Sequence, residues 1–434
     1  MPPPIDRRAM LCGCGVAAAL TALPRRAAAL TGLTDDTILN PCLPVELPSH
    51  LAWHEIVTAA WEGIDPSQVW DCHVHLAGTG DSGDGPWLNP AMAKLWHPVE
   101  YIRRIVMLNA ACVDRDAVDV SFVRRLHDLC EGLPAGCKAL LLAFDRYHDE
   151  GGIPHDQHSA FHIPDRYAAS VVRAHPARFG WIASVHPYRE DAVEALERAV
   201  RDGALAVKWL PVSMGMDPAS ARCDALYRAL ARLDVPLLTH GGDEAAVHGK
   251  REDHLANPLR LRRALDHGVR VIIAHCASLG RGVDLDRGPD GPKVPNFDLF
   301  ARLMAEPRYA RLLYGDISAV VQRNRIAECF PALLERSDWH DRLLFGSDYP
   351  LPGVIPLISV GRLADRGLLD PRETPVLIEV RRHNPLLFDF LLKRRLAWQG
   401  KRFATQVFET RRVFERRAPA ALTSPAGPAS IAPG

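Results

Sequence analysis

No stretch of this chain reaches the roughly 18–20 apolar residues that a membrane-spanning helix requires. Neither charge dominates. Lysine plus arginine and aspartate plus glutamate number 52 each, and no basic stripe marks a nucleic-acid surface. Of 10 cysteines, Cys12 and Cys14 fall in a signal-like segment, and the others lack CxxC spacing. Most read as buried thiols, with Cys130 and Cys137 able to pair across a short loop in an oxidising compartment. No repeat appears beyond an alternation of strand-like and helix-like segments. What remains is ample: 434 residues, 47% of them apolar, enough for one large α/β barrel or two ordinary domains.

The N-terminus has the three parts of an export signal. Arg7-Arg8 precede an apolar run from Leu11 to Leu23, and Ala27-Ala28-Ala29 offers a cleavage site. The arginine pair resembles a twin-arginine signal, although Asp6 and Met10 depart from that motif. Residues 1–29 are expected to be removed on export, giving a periplasmic protein. A lipoprotein reading through Cys12 or Cys14 is weaker, because the apolar core follows them.

Eight short apolar runs read as strands: Gln68–His75, Lys138–Phe144, Phe179–Val185, Ala204–Leu210, Val235–Thr239, Arg270–Ala274, Leu312–Ile317 and Arg342–Gly346. Amphipathic helices lie between several of them, clearest at Glu190–Arg201, then at Ala221–Leu233 and Pro258–Leu265. Repeated βα units over about 280 residues predict a (β/α)8 TIM barrel, with a doubly wound open sheet as runner-up. Residues 30–66 are expected to form an N-terminal cap segment and 67–395 the barrel with its C-terminal helices, including an amphipathic Leu386–Leu396. Residues 396–434 are expected to form an extension ending in a disordered Ala/Pro-rich tail.

Chemistry enters at the strand ends. His73 and His75 are two apart on a strand, so both imidazoles point the same way with Cα atoms about 6.5–7 Å apart. Cys72, between them, is expected on the opposite face as packing. Lys208, His240, His275 and Asp348 each sit at or near the end of another strand, where a barrel gathers distant residues. Imidazole and carboxylate donors suit zinc or a similar divalent ion.

At these residues the sequence resembles the amidohydrolase superfamily, in particular its TIM-barrel branch of metal-dependent hydrolases and decarboxylases. The carriers are Asp71-Cys72-His73-Val74-His75, Val207-Lys208-Trp209-Leu210-Pro211, Thr239-His240-Gly241-Gly242, Ile273-Ala274-His275-Cys276 and Gly346-Ser347-Asp348-Tyr349-Pro350, with a closing His383-Asn384-Pro385. The resemblance implies metal ligands at His73, His75, His240 and Asp348. It makes Asp348 the group that takes a proton from the attacking water. His275 would polarise substrate or bind a second ion. Lys208 is left between a carbamylated bridge and a substrate contact. One ion is favoured over two on ligand count. The expected activity is hydrolysis of an amide, ester or lactone of a small organic molecule by a metal-activated water. Decarboxylation, with Arg281 or Arg323 holding a carboxylate, is the first alternative. A non-catalytic binding protein on the same barrel is the second. Homo-oligomerisation stays open.

Gly78-Thr79-Gly80-Asp81-Ser82-Gly83 spells GxGxxG after a strand, but Asp84-Gly85-Pro86 opposes the helix a dinucleotide site needs, and Asp81 and Asp84 would repel phosphate. It reads instead as a mobile loop over the site. The loop Asp145–Pro164 holds His148, His155, His158 and His162. It reads as a solvated polar loop, or else as a lid. His186, Glu244 and Asp316 are expected to face the mouth as weaker candidates for substrate contacts.

Overall fold

The computed structural model describes residues 39–243 and 252–416. The signal-like segment, Glu244 and the tail beyond residue 416 lie outside the described residues. Eight strands run parallel around one axis: β1 (Trp70–His75), β2 (Lys138–Leu142), β3 (Phe179–Ile182), β4 (Val207–Trp209), β5 (Leu237–His240), β6 (Val271–Ala274), β7 (Leu313–Asp316) and β8 (Leu343–Leu344). Single parallel bridges, Ala183 to Val207 and Val74 to Tyr349, join the two arcs into a closed barrel. The open-sheet alternative is therefore excluded.

Each strand lies within one of the runs read from the sequence, except that β5 extends one residue further to take in His240. Their inward positions form a tight apolar layer that includes Leu140, Ile182, Leu238, Ile272 and Leu344. Outside, helices cover the sheet in the usual way. In the helix Ala192–Arg201, Ala192, Ala195, Leu196, Ala199 and Val200 are buried, the three-and-four spacing of one helical face.

β1 departs from regular pairing. Asp71 pairs with Ala139, but Val74 pairs with Leu141. Cys72 and His73 together therefore stand opposite Leu140, a β-bulge of one extra residue. The bulge overturns one expectation: Cys72 belongs to the interior layer with Leu140 and Leu142, beside the histidines and not on the opposite face. It remains a buried free thiol.

The cysteine pairing also differs from expectation. Cys130 and Cys137 are free and buried, and the disulfide joins Cys42 to Cys112. It ties the N-terminal segment to the end of α1 (Pro98–Ala110). The same segment is held by Arg125, which donates to the carbonyl oxygens of Leu43 and His383. His383 donates in turn to the Pro44 carbonyl at 2.6 Å. Asn384 then caps the final long helix, α2 (Pro385–Arg395), by accepting from the Leu387 amide.

That helix was expected to be amphipathic. Every residue from Pro385 to Lys393 is instead buried, because the helix packs between the barrel and the N-terminal segment. Its two charges meet internally: Lys393 donates to Asp389 at 2.5 Å and to the Gly346 carbonyl at 2.8 Å. Burial pushes the Asp389 carboxyl up to about 6 even so. Residues 396–416 are likewise not a loose extension. Thr410 accepts from the Trp70 amide at 3.1 Å, and Val413 and Phe414 join the inward layer at the N-terminal end of the barrel. No helix among the described residues is long and apolar enough to cross a membrane.

Candidate metal centre

At the opposite, C-terminal end, strand period and local irregularity converge on one spot. The inward layer continues upward from Ala206 to Lys208 on β4 and from Leu238 to His240 on β5, two residues on in each case. On β1 the bulge turns His73 inward beside Cys72, and His75 follows two residues later. His275 and Asp348 come just past β6 and β8. Both hold left-handed backbone, φ 55° and 61°, which non-glycine residues adopt only when their surroundings enforce it. The enforcing bonds are visible: the His275 amide donates to Asp316 at 3.0 Å, and the Asp348 amide donates to the His73 carbonyl at 2.8 Å.

His73, His75 and Asp348 place one donor atom each within 4.8 Å of one another, a group that could hold a metal ion. Asp348 Oδ1 lies 3.1 Å from His75 Nε2 and 3.6 Å from His73 Nε2. Its Oδ2 lies 3.9 Å from His275 Nε2. The His240 ring is edge-on to His275 with centroids 5.2 Å apart. Lys208 Nζ is 3.0 Å from His73 Nε2. Burial alone would raise the Asp348 carboxyl, but the bond from His75 and the nearby His73 and Lys208 hold it at about 2. Burial, with Lys208 beside it, keeps the His73 ring neutral and far below its ordinary value. A neutral imidazole and an ionised carboxylate are the forms that bind a divalent cation.

Asp316 and Ser318 set the ring orientations. His73 Nδ1 donates to Asp316 Oδ2 at 2.9 Å, which leaves Nε2 as the lone-pair face toward Asp348. His275 Nδ1 lies 2.8 Å from Ser318 Oγ and 3.1 Å from the Ser318 carbonyl, so its Nε2 also faces inward. The Asp316 carboxylate further accepts from the Ser318 amide and hydroxyl. Carboxylates that bind the far nitrogen of a metal-type histidine commonly fix its tautomer. Asp316 is fully buried, with its acceptors taken by these bonds, so the expectation that it meets substrate is corrected: it stands behind His73.

His186 is corrected as well. It is fully buried, donates through Nε2 to the Met214 carbonyl at 2.9 Å, and accepts the Tyr188 amide at Nδ1. Burial and the neighbouring His148 push its ring down to about 3. It is a core histidine outside the cavity. In the loop after β2, His148, His155 and His162 are bonded to Arg146, Asp149 and Phe144, and His158 alone of the four reaches the cavity wall. The GxGxxG loop wraps around a protein carboxylate. Asp119 accepts from the amides of Thr79, Gly80 and Ser82 and from the Ser82 hydroxyl, so the anion-binding amides are already filled.

The cluster opens into a cavity of about 570 Å³ that His73, His75, Lys208, His240, His275 and Asp348 all line. The arginines singled out in the sequence do not reach it. Arg281 and Arg323 are exposed, whereas Arg325 is buried and lines the cavity with Gln322 and Asn324. Sequence reading missed these three. The stretch from Ser318 to Arg325 is irregular, so no period pointed to them.

An amidohydrolase family model matches residues 70–373, a span that holds all eight barrel strands. No curated protein matches the chain. Among solved structures, a TIM-barrel protein of uncharacterised function from Bordetella bronchiseptica overlaps at TM-score 0.43 with 14% identity, covering 69% of this chain and 97% of that one. A probable 2-pyrone-4,6-dicarboxylic acid hydrolase from Acinetobacter baumannii, with citric acid bound, overlaps at 0.42 with 14% identity, covering 71% and 95%. A dihydroxybenzoic acid decarboxylase from Polaromonas, with manganese and 2-nitroresorcinol bound, overlaps at 0.40 with 17% identity, covering 68% and 89%.

Proposed function

The chain belongs to the amidohydrolase family, and from that premise we propose that it is a metal-dependent hydrolase of a small organic ester, lactone or amide. The observation that carries the proposal is the convergence of His73, His75 and Asp348 donor atoms within 4.8 Å at the open end of the barrel. His73, His75, His240 and Asp348 would hold one divalent ion, zinc or a similar metal. In a second grouping, His73 with His275 and Asp316, Asp316 stands behind the cavity with its oxygens taken by His73 and Ser318, which favours one ion over two. Lys208 beside His73 opposes a second cation while it stays protonated; carbamylation would reverse its charge.

The ion, when bound, supplies Lewis acidity toward water and a carbonyl oxygen. The remaining work falls to side chains. Asp348 takes a proton from water as the water oxygen bonds to the acyl carbon. His275, its Nδ1 donating to Ser318, presents the Nε2 lone pair and orients the attacking water by accepting a hydrogen bond from it. The C–O or C–N bond then breaks, its electron pair leaves on the departing atom, and the proton passes from Asp348 to that atom. Decarboxylation is the second reading, favoured by Arg325 on the cavity wall, where a guanidinium could seat a carboxylate. The export reading draws support from the Cys42–Cys112 disulfide, since disulfides persist in oxidising compartments.

The test is elemental analysis of the purified protein, followed by a panel of esters, lactones, amides and aromatic acids. Hydrolysis that depends on about one equivalent of metal supports the proposal. Metal-dependent CO2 release without hydrolysis replaces it by the second reading. Absence of bound metal overturns both.

A further inference from the structure

The cavity is much larger than the metal-type cluster needs, and most of its remaining wall is apolar. α1 contributes Ile102, Val106 and Met107, all only part-buried by protein. Phe161 and Leu351 face the same space from other elements. Away from the cluster the charged side chains on the wall are Glu100, Arg103 and Arg104 on α1 and Arg325, a minority among apolar ones. The apolar character continues outward. Leu95, Trp96 and Val99 flank the lining residues His97 and Glu100 in sequence, and they are 71%, 73% and 54% exposed. Large apolar side chains left exposed next to lining residues offer surface that an apolar ligand can cover. A volume of about 570 Å³ falls in the range of sites that enclose a drug-sized molecule.

Resting on the hydrolase reading above, we infer that the substrate is lipophilic. Its reacting carbonyl lies at the His73–His75–Asp348 cluster and its hydrocarbon body lies along α1, entering past Trp96. Hydrolysis then leaves an apolar carboxylic acid and an alcohol or amine, or an apolar hydroxy acid from a lactone.

Binding separates this inference from catalysis. The probes are 2-alkanones from 2-butanone to 2-decanone, which carry a carbonyl and a growing chain but no bond to hydrolyse. Titration calorimetry on the full chain should show Kd falling roughly fourfold per added methylene, the factor expected for complete burial, until the chain fills the cavity. The heat-capacity change should be negative. Val106→Trp, which fills the wall, should flatten that slope while the protein keeps its wild-type metal content. Met107→Gln, nearly equal in volume, should lower the slope without filling the cavity, and it serves if the tryptophan variant fails to fold. A Kd independent of chain length, or a slope that neither variant moves, overturns the inference. p-Nitrophenyl esters of matching length complete the design. If the ketones show the slope but no ester is cleaved, the pocket assignment stands and the hydrolase reading falls. If esters are cleaved with kcat/KM indifferent to chain length and ketone affinity is flat, the hydrolase reading stands and the lipophilic substrate falls.

Discussion

The two ends of the barrel use the same eight strands and differ in what the inward positions hold. Below the metal-type cluster those positions are Leu140, Leu238 and Ile272, and at the N-terminal end the chain itself closes the opening with Val413 and Phe414. At the C-terminal end, one step further along β4 and β5, they become Lys208 and His240, and the opening is left as a cavity. The closed end is dry packing, which stabilises by removing apolar surface from water. The open end spends some of that stability on buried polar groups whose bonds, through Asp316 and Ser318, exist to aim two imidazoles. Stability and chemistry are thus separated along the strand axis by about one pleat, the pattern expected of this architecture.

That separation can be broken from either end. The largest effect is expected at the open end. His73→Ala/His75→Ala should abolish stoichiometric metal, read by elemental analysis, and lower turnover on the order of 10³-fold or more. Far-ultraviolet circular dichroism should stay close to wild type, because the closed end is untouched. Equal metal in mutant and wild type would dissolve the distinction between the ends. Next comes the closed end itself. Phe414→Ala should cost about 3–5 kcal/mol in denaturant unfolding while metal content and kcat hold near wild type. A loss of bound metal in that variant would mean that the ends are coupled.

Two smaller effects sharpen the picture within the open end. His275→Ala should retain its metal and lose about 100-fold in turnover. Loss of half the metal would instead indicate two ions, with His275 a ligand and Lys208 the bridge. Asp316→Asn should weaken metal affinity by about 10–100-fold, seen in competition with a chelator, because His73 loses the carboxylate that fixes its tautomer. An unchanged affinity would make Asp316 a purely structural acid.

The strands were legible in the sequence because their apolar runs and the chemistry-bearing residues at their ends share one period. His73, His75, Lys208, His240, His275 and Asp348 are therefore readable as one group from the sequence. What escaped depends on partners distant in sequence. The bulge at Cys72 and His73 exists only in register with β2, so the face of Cys72 was misjudged. Phe414 sits among arginines and reads as surface until it meets the barrel floor. In α2, Asp389 and Lys393 look like a polar stripe, yet they pair with each other inside the protein. The strapping of Cys42 to Cys112 depends on how α1 folds back, and sequence spacing pointed to Cys130 and Cys137 instead. His186 and Asp316 were placed at the right strand ends but on the wrong side of the cavity wall.

The Cys42–Cys112 bond also decides how the protein would come apart under proteolytic attack. The segment it encloses spans 70 positions and includes β1, both of its histidines and the exposed turn at Leu95 and Trp96, the kind of site proteases cut first. A nick there cannot free a fragment, because both pieces remain joined through sulfur. The clipped protein would migrate as one species without reductant and as two with it. Until the disulfide is reduced, the piece that carries His73 and His75 would stay joined to the rest of the barrel.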